Sequence, residues 1–112
     1  MIAGPASLFA DIPQQLPDEL CQTLLEKPNI RIERILSLGQ TSAENSWYDQ
    51  PQDEWVLLLQ GQARLEFIDS EQVSLNPGDY LFLPAHYRHR VAWTSSNQPC
   101  IWLAIHLFDT EH

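Results

Sequence analysis

The sequence predicts an all-β fold, a small antiparallel barrel or sandwich with one short helix near its start. Three observations predict it. Short segments rich in branched and aromatic residues succeed one another: "NIRIERILSLG", "EWVLLLQG", "QARLEFID", "EQVSL", "DYLFLP", "HRVAWT" and "CIWLAIHLF". Turn residues separate them at Gly61, "DS" (69–70), "NPGD" (76–79), "PAH" (84–86) and "SSNQP" (95–99), the punctuation of sandwiches and barrels. No stretch of helical periodicity lies between strands, which excludes a doubly wound parallel sheet.

"LPDELCQTLLEKPN" (16–29) predicts the helix. Pro17 suits its first turn, Asp18 and Glu19 suit its positive end, Leu20, Leu24 and Leu25 form an apolar stripe, and Pro28 stops it. In "NIRIERILSLG" (29–39), Ile30, Ile32, Leu36 and Leu38 alternate onto one face, with Arg34 the exception. "WVLLL" and "CIWLAI" carry no polar stripe, so both of their faces need cover. One side faces the interior. The other meets a second sheet or a second subunit, and a homodimer is expected. Asn76-Pro77-Gly78-Asp79 is a strong turn, and Pro84 ends the strand after it because it cannot donate to a ladder. The division is an arm and short helix over 1–28, a barrel over 29–108 and a frayed tail, "DTEH", over 109–112, all one domain.

Composition limits the partners. The chain has 112 residues, enough to bury one core, and its 44% hydrophobic content and four tryptophans suit a packed globule. Fifteen acidic against six basic residues give a formal charge of −9. Such a field repels phosphate backbones and anionic lipid, so neither nucleic acid nor a membrane surface is an expected partner. No apolar run reaches bilayer length, and "MIAGPASLFADIP" lacks the charged and apolar regions of a signal peptide; the expected location is cytoplasmic. Cys21 and Cys100 stand far apart without CxxC spacing and read as reduced thiols. The serines have no GxSxG setting, neither cysteine has a base nearby in sequence, and no Gly-rich phosphate loop occurs.

Two motifs carry the chemistry. "EWVLLLQG" places Glu54 seven positions before Gly61, and "GDYLFLPAHYRH" runs from Gly78 through Pro84 to His89. Together they resemble the paired motifs of the cupin superfamily, and the second is specific. The resemblance implies a cupin-like jelly roll, or double-stranded β-helix, whose interior receives both Glu54 and His89. In that family the first motif also has two histidines. Their positions fall here on Trp47 and Asp49, or on Tyr48 and Gln50, and no histidine is recovered. The family glycine before the second-motif histidine is His86 here.

Two readings of the remaining donors stay open. In one, Asp49, Glu54 and His89 supply two oxygens and one nitrogen for Fe²⁺ or Mn²⁺, with Tyr48 or His86 as proton donor. In the other, Glu54 and His89 are a hydrogen-bonded pair and Asp49 caps the turn before Pro51. Trp93 shares the His89 face and Trp102 the His106 face, so both tryptophans and His106 are candidate walls of a ligand cavity. Arg88, on the turn, is placed to steer a carboxylate. One scaffold hosts many reactions, so the fold alone assigns none. The first expectation is a barrel binding a small organic ligand, with or without a weak divalent metal. The alternatives are a metal-dependent dioxygenase, decarboxylase or isomerase, and a metal-free sensory or structural dimer.

Overall fold

A computed structural model describes residues 2–43, 46–69 and 71–109. Among these, eight strands follow in chain order: β1 Leu20–Lys27, β2 Ile30–Ser37, β3 Asp53–Gln60, β4 Ala63–Phe67, β5 Gln72–Leu75, β6 Tyr80–Leu83, β7 His89–Thr94 and β8 Cys100–Leu107. Every pairing is antiparallel. The strands make a five-stranded sheet, β1-β2-β8-β3-β6, and a three-stranded sheet, β5-β4-β7. Two glycine turns carry the chain between them. Gly61 (φ 87°) passes it from β3 to β4, and Gly78 (φ 95°), in the "NPGD" turn, returns it from β5 to β6. Both sit in the left-handed region that a Cβ disfavours. The tail beyond Asp109 lies outside the described residues.

The expected helix over 16–29 is not there; no helix occurs among the described residues. β1 occupies its place and pairs with β2 from Leu20↔Leu36 to Lys27↔Ile30, with a bulge at Thr23/Leu25. Pro28 and Asn29 form a two-residue turn, and the resulting hairpin satisfies backbone groups that a short isolated helix holds poorly in water. The leucine stripe misled because Leu24 and Leu25 remain about half exposed rather than packed. A second correction concerns closure. The sheets face one another as a jelly-roll sandwich, and their edges are not joined into a closed barrel.

The core between the sheets joins Val56 and Leu58 of β3, Ala63, Leu65 and Phe67 of β4, Leu75, Leu83, Cys100, Trp102 and Ala104. A second cluster lies on the outer face of the large sheet, where the N-terminal arm packs Ile12 and Leu16 on Leu36 and Ile101. Arg34 is the latch. Its Nε donates to Gln22 Oε1 at 2.7 Å, and its Nη1 donates to the Leu8 and Ala10 carbonyls at 3.0 and 2.6 Å. The exception in the β2 alternation is thus a buried cation with three acceptors. Beyond the arm, Leu25, Ile32, Ile105, Trp55 and Phe82 are successive register partners, an apolar row across all five strands. No helix among the described residues is long and apolar enough to cross a membrane.

Candidate functional site

Alternation along β2, β3 and β8 turns one row of each toward the small sheet: Glu33 and Ile35, Glu54 and Val56, and Trp102, Ala104 and His106. Pairing sets their neighbours, with Glu54 opposite His106, Glu33 opposite Ala104, and Ile35 opposite both Trp102 and Cys21. From the other sheet come Leu65 of β4 with His89 and Val91 of β7. All of these but Ala104, with Glu19, Cys21, Tyr48, Gln50 and Leu83, line a cavity of about 180 Å³.

The stretch "WYDQ" reaches this cavity through the backbone. Tyr48 N–H donates to the His89 carbonyl at 2.7 Å, and His89 N–H donates to the Tyr48 carbonyl at 3.2 Å. The segment therefore runs beside β7 as an unannounced extra edge, and the Tyr48 ring lies 5.5 Å from the His89 imidazole. Gln50 donates its amide to Glu54 Oε1 at 2.9 Å.

His106 sits between two carboxylates. Its Nε2 is 3.0 Å from Glu33 Oε1 and 3.9 Å from Glu54 Oε2, and its Nδ1 is 3.1 Å from the Gln52 amide nitrogen. With Nε2–H donating to Glu33, Nδ1 accepts from Gln52. Arg31 Nε stands 3.3 Å from the other Glu33 oxygen. His89 is set differently. Its Nδ1–H donates to the Tyr87 carbonyl at 3.0 Å, which leaves the Nε2 lone pair without a partner among the described residues.

The surroundings are negative. Burial raises the Glu19 carboxyl above its ordinary value, and the charges of Glu54 and Glu33 raise it further. Burial, followed by Glu19, Glu33 and Glu54, pushes the Cys21 thiol up to about 11. Burial and then Glu19 raise the Tyr48 phenol. Alkylation reads the Cys21 value directly, because the thiolate is the attacking species. The iodoacetamide rate is expected to rise between pH 9 and 11, and at neutral pH to fall on the order of tenfold or more below a free thiol. Mass spectrometry across a pH series checks this. Buried Cys100 should stay unlabelled in the native protein.

Of the residues singled out from the sequence, Glu54, His89, Tyr48, Trp102 and His106 line the cavity; Asp49, His86, Arg88 and Trp93 do not. Asp49 turns outward, where its Oδ1 accepts from His86 Nδ1 at 2.8 Å, both side chains largely exposed. His86 holds a left-handed backbone (φ 62°) while doing so. Trp93 is displaced by a bulge: Val91 pairs with Leu65 but Trp93 pairs with Arg64, so two β7 steps oppose one on β4. That extra residue turns Trp93 to the far face, under the Arg64 guanidinium at 5.8 Å. Arg88 is exposed on its turn.

The metal expectation fares likewise. Among the described residues no three His, Cys, Asp or Glu side chains gather as a metal-holding group. With Asp49 hydrogen-bonded to His86 outside the cavity, the set Asp49, Glu54 and His89 is not brought together among the described residues. Sequence reasoning also missed Glu19, Cys21 and Glu33. The first two were hidden by the helix expectation. Glu33 was legible, since the β2 alternation put it opposite Ile32 and Leu36, on the face that proves to be inner.

Comparison with known proteins agrees with the geometry. A family model described as a cupin domain matches residues 35–106. A solved structure from Ralstonia eutropha JMP134, provisionally named a mannose-6-phosphate isomerase, is 48% identical; the match covers 96% of this chain and 100% of that one, at a TM-score of 0.91. A cupin superfamily protein from Desulfitobacterium hafniense DCB-2 is 26% identical over 88% of this chain and 84% of that one, at 0.73. A protein of unknown function from Streptococcus pyogenes shares the fold at 19% identity, covering 99% and 92%, at 0.76. No curated protein matches.

Proposed function

Because the chain belongs to the cupin-domain family, we propose that it binds a small organic molecule in the cavity between its two sheets. One observation carries this reading. Glu54 and His89, one from each motif, open onto the same cavity, with Trp102 as its aromatic wall and His106 beside Glu54. A mostly apolar hollow with a few convergent polar groups is the usual form of a ligand site. The test is a thermal-shift screen over small acids, amines and sugars, repeated with Glu54→Gln and His89→Asn. A binder of the folded state raises its midpoint. The expected result is a shift in the native protein that either variant abolishes; a shift unchanged in both places the ligand elsewhere and defeats the reading.

A second reading, isomerase chemistry, is supported by the provisional name of the 48% identical structure and by His106 beside Glu33 and Glu54. A carboxylate would take the proton from the carbon next to the carbonyl to give an enediol and return a proton to the former carbonyl carbon. The imidazole would hand a proton to the carbonyl oxygen and take one from the neighbouring hydroxyl, so that both groups end as they began. Deuterium incorporation from D₂O into a turned-over aldose detects it, and His106→Gln should abolish the exchange. Iron or manganese on Asp49, Glu54 and His89 would require Asp49 to leave His86. Elemental analysis of untagged protein is therefore expected to find less than one metal per chain.

The partner of the outer face is inferred to be a second copy. Tyr80 is 64% and Phe82 53% exposed, and together they leave roughly 200 Å² of mainly apolar surface in water. The five-stranded face is about 24 Å across, the scale of a standard interface of about 800 Å² per partner. Sedimentation should give a dimer that Tyr80→Lys with Phe82→Lys converts to a folded monomer. A native monomer at all concentrations would refute the pairing.

A further inference from the structure

The polar groups that the cavity leaves open are acceptors. Glu19, Glu33 and Glu54 line it, and among the described residues no lysine or arginine does. Glu33 has Arg31 as an outside partner. Glu54, only 7% exposed, has the Gln50 amide and a distant His106 but, among the described residues, no lysine or arginine. Glu19 has only the Cys21 thiol among them, at 3.9 Å. Glu19 is exposed at the rim, but Glu54 is a buried carboxylate without a cation, which is costly, and the usual remedy is a positive partner.

His89 gives an independent indication. The residue is 6% exposed and lines the cavity, its Nδ1–H is spent on the Tyr87 carbonyl, and its Nε2 has no partner among the described residues. A neutral imidazole in that state offers a lone pair and asks for a donor. Around these groups stand Tyr48 and Trp102, whose ring faces attract cations, and Val56, Leu65 and Val91, which suit an alkyl portion.

Resting on the reading that this cavity is the ligand site, we propose that it selects a small organic cation, an amine whose ammonium meets Glu19, Glu54 and His89 Nε2, over neutral or phosphorylated molecules of the same shape. An ammonium brings three donors and a charge to three acceptors that lack one. A phosphoryl group would bring negative charge against two carboxylates and find no guanidinium or ammonium among the described residues of the wall. Burial first, and the neighbouring carboxylates after it, displace Glu19, Cys21 and Tyr48 upward, and the net charge of −9 draws cations toward the mouth.

Two matched series test the charge class: butylammonium, butanol and butyl phosphate, and glucosamine, glucose and glucose 6-phosphate. Binding is followed by NMR of the Trp102 indole and the His89 and His106 imidazoles. The expected result is that the ammonium member of at least one series binds at the cavity, roughly tenfold more tightly than its neutral counterpart and roughly a hundredfold more tightly than the phosphate. Added salt should weaken it, and Glu54→Gln should remove the preference. Glu19→Gln, just ahead of the edge strand β1 and exposed, supplies the same test should Glu54→Gln fold poorly. Equal or tighter binding of a neutral or phosphorylated member at those resonances overturns the charge class while leaving the cavity reading intact. Perturbation confined to residues away from the cavity overturns both. No perturbation by any of the six compounds also overturns the proposal.

Discussion

Gly61→Ala is expected to destabilise the protein by about 3 to 4 kcal/mol. Two costs add. The residue sits at φ 87°, where an alanine carries the left-handed penalty of about 1 to 2 kcal/mol. A Cβ there would also stand 2.6 Å from Cys100 Sγ, 3.0 Å from Cys100 Cα and 3.1 Å from Ser95 Oγ. The thiol is fully buried and the Cα is backbone, so neither yields cheaply. Gly78 is the control. Its φ is 95°, yet among the described residues nothing lies within 4 Å of where an added methyl would sit, so Gly78→Ala should cost only the conformational part. Urea melts of the two variants should differ by about 2 kcal/mol; equal values would show that the close approach to β8 does not matter.

Arg34→Ala is expected to cost about 3 kcal/mol and to release the N-terminal arm. The guanidinium is buried on the outer face and donates to Gln22 and to the carbonyls of Leu8 and Ala10. Its removal leaves those acceptors without their donor and uncovers Leu36 and Ile101, which Leu16 otherwise shields. Arg34→Met, which keeps the apolar stem, should recover the packing but not the latch. Limited proteolysis should then cleave near residues 8–16 in both variants well before the native protein, while the melting loss is larger for alanine. A native-like digestion pattern in either would show that packing alone holds the arm.

Most of the sheet could be read from the sequence, and the reasons are local. The strands β3 and β8 announce themselves by unbroken apolar runs, and Gly61, "NPGD" and Pro84 punctuate them with residues that few other conformations tolerate. β1 could not be read in the same way. "ELCQTLLEK" carries leucines at a spacing that fits a helix as well as an edge strand, and the choice is made by β2, which lies across a two-residue turn. That error concealed Glu19 and Cys21, two residues of the cavity rim. Trp93 shows another limit. Strict alternation puts it beside His89, and one bulge at Ala92 reverses it. Asp49 shows a third, because its choice between the cavity and His86 depends on a histidine in a left-handed conformation far along the chain. Glu54 and His89 were found because the paired motifs and the strand alternation point to the same face.

The position of β8 has a consequence for how the chain is made. The last of the eight strands is the central one of the large sheet, hydrogen-bonded to β2 on one side and β3 on the other. As the polypeptide leaves the ribosome, the β1–β2 hairpin and β3 must therefore wait, unjoined, until β4 to β7 and then β8 have been translated. During that interval Leu36, Val56 and Leu58 have no strand between them to bury against. Contacts so distant in sequence form slowly, and unpaired strand edges left waiting are where nascent chains associate wrongly. Trp102 and His106, which line the cavity, arrive on that same strand, so joining of the large sheet and completion of the cavity are a single event.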